Sequence, residues 1–103
     1  MINATIFRDS KRRIKGFTVK NHGESFVCAA VSMLVLNTVN SIEFFTKDEF
    51  VCNLNEEDGG FLDFSLANPA TITEGTRILL EAMVLGLMSA QEEYPDEIKL
   101  KES

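Results

Sequence analysis

An imidazole and a thiol stand close together early in this chain. His22 is the sole histidine, and Cys28, one of two cysteines, follows six positions later in the run Asn21-His22-Gly23-Glu24-Ser25-Phe26-Val27-Cys28-Ala29-Ala30-Val31-Ser32. A thiolate that attacks a carbonyl, with an imidazole to take and return the proton, is the minimum equipment for nucleophilic acyl transfer. Ser25 reads as the N-cap of a helix, which makes Cys28 its third helical residue. There the free N–H groups and the helix dipole favour an anion and lower a thiol pKa, and a neighbouring imidazolium lowers it further. The N–H groups of Cys28 and Ala29 are candidates to hold an oxyanion. Fully extended, the segment from His22 to Cys28 would span on the order of 20 Å, so chemistry requires the loop to fold back. The plainer alternative is that Cys28 is a small hydrophobe on the apolar face of its helix and His22 an ordinary loop residue.

The other polar and sulfur-bearing residues read as structure. Cys52 sits in the middle of a strand and suits a core position. Asp58-Gly59-Gly60 is a turn, and the acidic run before it would repel phosphate. Glu92-Glu93 is a solvated helix end, and the Met83 and Met88 stripe belongs to a core. One histidine and no CxxC argue against a metal site, and no residue pattern calls for a cofactor.

The elements that must position Cys28 and His22 follow from apolar periodicity. Ile2, Ala4 and Ile6 alternate with Asn3, Thr5 and Phe7 as a strand, Asp9–Arg12 is a polar turn, and Ile14–Lys20 is its hairpin partner. A helix runs from Ser25 to Phe44 or Phe45. Cys28, Val31, Val35, Val39 and Ile42 share one face of it, widened by Val27, Leu34 and Thr38, and Phe26, Met33, Leu36 and Phe44 lie opposite. Such all-round apolarity needs cover from a second helix or another subunit. Strands follow at Phe50–Leu54 and Phe61–Leu66, joined by the acidic loop Asn55–Gly60. Thr71-Ile72-Thr73-Glu74 has capping-box spacing ahead of a second helix that ends near Glu93, with Leu79, Met83, Gly86, Leu87 and Ala90 as its main stripe. Ile98–Lys101 can form a last strand. The order ββαββα, with room for that final β, predicts an α+β two-layer sandwich: one domain over residues 1–103, a mainly antiparallel sheet, and two long helices on one face.

Bulk properties agree. The chain of 103 residues is 45% hydrophobic and 25% charged, as expected for one globular domain. A net charge of −6 disfavours direct nucleic-acid binding and suits a basic peptide partner. Two cysteines are too few for a disulfide framework and fit a reducing cytoplasm. The N-terminus lacks the apolar core of a signal peptide. Polar residues break the apolar run from Ala29 to Val39 well short of the roughly 20 needed to cross a bilayer, so no membrane association is expected.

The order of a histidine, a short loop, then Val27-Cys28-Ala29-Ala30-Val31-Ser32 at a helix start resembles the ribosomal-processing cysteine protease Prp family. The similarity continues through Asn37-Thr38-Val39-Asn40, Ile42 and the segment from Ile78 to Leu100. It implies a cysteine endopeptidase that removes the N-terminal extension of a bacterial large-subunit ribosomal protein, the one numbered twenty-seven. Cys28 takes the place of the family's cysteine, His22 of its histidine, and Ser32 of the serine one helical turn on. The family's homodimers and basic, aromatic-containing substrate peptide would apply as well. Where many members carry an acidic residue three before the cysteine, this chain has Ser25. The orienting role falls to Glu24, or to no residue at all, leaving a Cys–His dyad. The rival expectation is a non-catalytic ribosome-assembly module with Cys28 as a core residue.

Overall fold

The structure is a computed structural model and describes residues 1–21, 25–55 and 61–103, Ser25 through its backbone alone. Strand β1 (Ile2–Arg8) buries Ile2, Ala4 and Ile6 on one face, as its alternation requires. The following turn is built by Asp9, whose Oδ1 accepts the N–H groups of Lys11 at 2.8 Å and Arg13 at 3.0 Å. These bonds hold the Asp9 carboxyl below its usual range, the Arg13 N–H being the chief cause. Strand β2 (Ile14–Lys20) returns antiparallel, with Ile6 opposite Phe17 and Ala4 opposite Val19. Gly16 is fixed by crowding, since a Cβ there would lie 2.6 Å from the Phe64 carbonyl oxygen of the neighbouring strand.

Helix α1 (Ser25–Phe45) is followed by the hairpin of β3 (Phe50–Asn55) and β4 (Phe61–Leu66), helix α2 (Glu74–Glu93) and strand β5 (Ile98–Glu102). The sheet order is β3-β4-β2-β1-β5. All pairings are antiparallel except β1 with β5, where Ile2 stands opposite Ile98 in parallel register. The final strand therefore exists, and it makes the sheet mixed. A parallel neighbour needs a long crossover, and α2 provides it. Both helices cover one sheet face over a single core that joins Ile6, Phe17 and Phe64 to Val31, Val35, Ile42, Leu80 and Leu87. Phe17 and Phe64 stack at 4.9 Å between ring centroids.

Three expectations need correction. The buried stripe of α2 is centred on Leu80, Met83, Val84 and Leu87, with Leu79 and Ala90 only partly buried. The helix must face both the sheet and α1, and Gly86 serves the second contact: a Cβ there would meet Leu34 Cδ2 at 2.7 Å. The cap of α2 is Thr73 and not Thr71, which ends a short turn of 3-10 helix at Pro69–Thr71. The Thr73 hydroxyl accepts the Thr76 N–H at 3.4 Å and donates to Asp48 Oδ2 at 2.7 Å. Asp48 also accepts the Thr73 N–H at 3.0 Å and the hydroxyl of fully buried Thr76. Third, α1 is long and apolar enough over Phe26–Phe45 to cross a bilayer by length and composition, which the shorter run read from the sequence did not suggest. Its Val27, Val31, Val35 and Ile42 are nevertheless committed to the core.

At the β1–β5 side, Arg8 grips Glu81 of α2 through two bonds of 2.8 and 3.0 Å and Glu102 of β5 at 2.9 Å. The hydrogen bonds to Glu81, then the one to Glu102, hold the guanidinium charged, and Arg8 in turn depresses the Glu81 carboxyl.

Candidate active site

Strand β2 ends at Lys20, and the next residue, Asn21, turns the chain sharply with a φ of 71°, a left-handed conformation that asparagine tolerates. His22, Gly23 and Glu24 lie outside the described residues, as do 56–60, so the folded-back loop, the His22–Cys28 pairing, the orienting acid and the acidic turn fall there. Ser25 is the first helical residue and not the cap before it, so Cys28 is the fourth. It remains in the first turn of α1. In a helix that starts at Ser25, the Ala29 N–H is the regular donor to the Ser25 carbonyl. The donors left over at a helix start are the earlier ones, here up to Val27.

Cys28 is half-buried and packs against the core on one side. On the other it lines a cleft of about 360 Å³. One wall is α1, with Cys28, Val31, Ser32, Val35 and Leu36, positions that helical spacing brings to one side. The floor includes Val19 of β2 and Leu62 of β4, and the facing wall has Leu54 and Asn55 of β3 with Phe61. The cleft exists because the helical layer stops short of β3. Leu62, Phe64 and Leu66 of β4 are buried, whereas on the same face of β3 Phe50 and Cys52 are half-buried and Leu54 is 56% exposed. Ser32 is exposed on the cleft side of α1, one turn beyond Cys28, and Ala29 is exposed.

Cys52 is a different kind of thiol. It sits across the ladder from Phe64, burial pushes its pKa up, and the charge of Asp63 adds to the effect. Among the described residues no group of three or more His, Cys, Asp or Glu side chains is arranged to hold a metal ion. The sequence reading anticipated Cys28 and Ser32 on one face. It missed the facing wall of Leu54, Asn55 and Phe61, whose only signal was an apolar residue at the end of a strand.

A thiol in the first turn of a helix, set beside an open apolar cleft in a two-layer α+β fold, defines a protein equipped to present sulfur to an extended apolar ligand. The model of the family described as cysteine protease Prp matches residues 1–99, and the chain belongs to that family and is a cysteine protease. Membership decides against the non-catalytic module. The ribosomal processing cysteine protease Prp of Bacillus subtilis (strain 168) is 26% identical, over 97% of this chain and 96% of its own length. The protein of the same description from Staphylococcus aureus (strain NCTC 8325 / PS 47) is 27% identical over 77% of this chain and 72% of its own. In three dimensions the chain is similar to SMU.848 from Streptococcus mutans, with a TM-score of 0.88 at 28% identity, covering 99% of this chain and 96% of that one. The fold also matches an essential ribosomal processing protease Prp from S. aureus in complex with a covalently linked product peptide, with a TM-score of 0.90 at 22% identity over all of both chains.

Proposed function

We propose that this enzyme removes the N-terminal extension of a bacterial large-subunit ribosomal protein, the one numbered twenty-seven, by a Cys–His mechanism. The observation that carries the reading is the position of Cys28, in the first turn of α1 and open to an apolar cleft. The names of the relatives support the ribosomal substrate. Cys28 attacks the scissile carbonyl carbon as thiolate, and a C–S bond forms as the carbonyl electrons move onto oxygen. The leading N–H groups of α1 stabilise that oxyanion. As the C–N bond breaks, His22 gives its proton to the leaving amine. His22 then takes a proton from water, which attacks the thioester and releases the new carboxyl end and the thiolate. Ser32, one turn beyond, offers a hydroxyl to the bound peptide, and Glu24 is the candidate to orient His22.

The net charge of −6 suits a basic substrate chain. The reading includes a cytoplasmic enzyme and a homodimer. The second is supported by apolar residues left open on both helices, with Met33 73%, Phe44 81% and Leu85 65% exposed. Sedimentation at micromolar concentration tests the dimer, and a strictly monomeric species overturns it. The function itself is tested by incubating the protein with its own organism's extended ribosomal protein and reading the new N-terminus by mass spectrometry. A cut that Cys28→Ala abolishes while still binding the extension is expected. An intact extension, bound equally by both proteins, would overturn the reading.

A further inference from the structure

The two outer strands of the sheet are finished differently. Strand β5 is guarded. It carries Lys99, Lys101 and Glu102, and two of its outward donors are taken: Ile98 N–H by the Tyr94 carbonyl at 3.2 Å and Leu100 N–H by Gln91 Oε1 at 2.6 Å. Proteins commonly protect a sheet edge in these ways, with charge or with a covering group.

Strand β3 has neither protection. Its sequence is Phe-Val-Cys-Asn-Leu-Asn, without a charge or a proline, and Val51 and Leu54 are 58% and 56% exposed. The Ala67 N–H donates to the Glu49 carbonyl at 2.9 Å, which sets the ladder phase. Val51, Asn53 and Asn55, opposite Ser65, Asp63 and Phe61, then turn their main-chain groups to β4. Phe50, Cys52 and Leu54 turn theirs to the open edge, and no hydrogen bond from these three N–H groups occurs among the described residues. The side chains of these same three residues point to the face that holds the cleft, and Leu54 is part of its wall. One row of residues therefore offers both a main-chain template and an apolar border that runs into the site of Cys28.

We propose that β3 receives the substrate as a sixth strand: an extended peptide pairs with the outward groups of Cys52 and Leu54 and drops alternate side chains toward the Cys28 cleft. Main-chain pairing supplies affinity without regard to sequence, and the cleft reads the side chains that face it. Leu54 belongs both to the edge and to the cleft wall, so side chains that a peptide on β3 turns to that face meet the border of the cleft that Cys28 lines. A second copy of the chain is the competing occupant of such an edge, but a β3–β3 pairing would obstruct the cleft border. The inference rests on the protease reading, since it takes the occupant to be substrate.

The test uses a synthetic peptide spanning the extension of the organism's own ribosomal protein, and copies of it N-methylated at one backbone position at a time. Turnover is measured with the intact enzyme, and amide exchange by NMR with the Cys28→Ala variant. Pairing predicts a period-two pattern: methylation at alternate positions weakens binding by about five- to tenfold, the value of one backbone hydrogen bond, while the positions between are silent. It also predicts that peptide slows exchange at Cys52 and Leu54 and leaves Asn53 unchanged. If the peptide is cut but shows no alternation and no protection at Cys52 and Leu54, the edge proposal falls and the protease reading stands. If the peptide is not cut yet protects those two amides, β3 pairs with an extended peptide that is not a substrate, and both the substrate reading and the proposal that the edge receives substrate are overturned. Protection that rises with protein concentration and ignores peptide would assign the edge to a second copy and overturn the proposal.

Discussion

The helical layer has two ends, and they are built to opposite standards. Where α1 finishes and α2 begins, Thr46, Asp48, Thr73 and Thr76 form one hydrogen-bonded network. Asp48 collects Thr73 and Thr76, the Thr46 hydroxyl donates to the Ile42 carbonyl at 2.8 Å, and it accepts the Asp48 N–H at 3.2 Å. Where α1 starts, the layer leaves β3 uncovered, Leu54 is exposed, and an apolar cleft remains beside a half-buried thiol. The contrast indicates a division of labour. A network with its donors and acceptors matched holds the helices in register, and the opposite end is free to stay unfilled until a ligand completes it.

Substitutions should separate the two ends, and the largest effect belongs to the open one. Cys28→Ala is expected to lower peptide cleavage by at least ~1000-fold, because it removes the nucleophile. Its melting temperature should stay within a few degrees of wild type, since one half-buried sulfur is lost. A variant that fails to fold would mean that Cys28 belongs to the scaffold after all.

His22→Ala should come next, with cleavage reduced ~100-fold or more by the loss of acid–base assistance and stability nearly unchanged. Parallel melts and cleavage rates decide it, and a large drop in melting temperature with unchanged turnover would make His22 structural.

The closed end should respond in the opposite sense. Asp48→Ala removes the acceptor of three hydrogen bonds and should cost about 2 kcal/mol of stability, with cleavage by the folded fraction unchanged. The hydroxyls of Thr73 and Thr76 hold the Asp48 carboxyl below its ordinary range. A depressed folded-state pKa gives a contribution that is complete above the ordinary aspartate value, about 4, and drains away as pH falls through the folded value. Urea melts between mildly acidic and neutral pH and below should therefore show the wild type converging on Asp48→Ala only in strong acid. Loss of activity at temperatures where that variant is folded would break the division between the ends.

The smallest effect is expected between the helices. Gly86→Ala gains helix propensity but drives a Cβ toward Leu34 Cδ2, and a net loss of about 1 kcal/mol should follow. A gain in melting temperature would show that Leu34 can turn aside without cost.

Strands and helices were legible wherever one face was buried and one wet. Ile2, Ala4 and Ile6, or Leu62, Phe64 and Leu66, announce their strands by alternation, and the two-layer arrangement followed from the element order. The stripe of α2 was read slightly off because the helix faces two neighbours at once, and period alone reports their average. Local spacing points to Thr71, and the partner that makes Thr73 the cap region's anchor, Asp48, is distant in sequence and shown by no local pattern. The site was legible only in its thiol and the side chains that share its helical face. Leu54, Asn55 and Phe61 join it through the sheet, and nothing in a lone apolar residue at a strand end says which way a helix above it will stop.

The parallel pairing of β1 with β5 has a consequence for how the chain acquires its shape. Ile2 is opposite Ile98, so β1 is flanked on one side by β5, a strand far from it along the chain. The β1–β2 hairpin can form early from local contacts, but its other side stays bare until β5 arrives after α2. Closing so long a loop adds little to the equilibrium cost, because loop entropy grows only with the logarithm of length, but it slows the search. Ile98 is fully buried and the Arg8 clamp needs Glu102, so the residues of β5 act as a latch. Refolding should be paced by their arrival, and until then the exposed border of β1 is the point at which the chain can pair with the wrong neighbour.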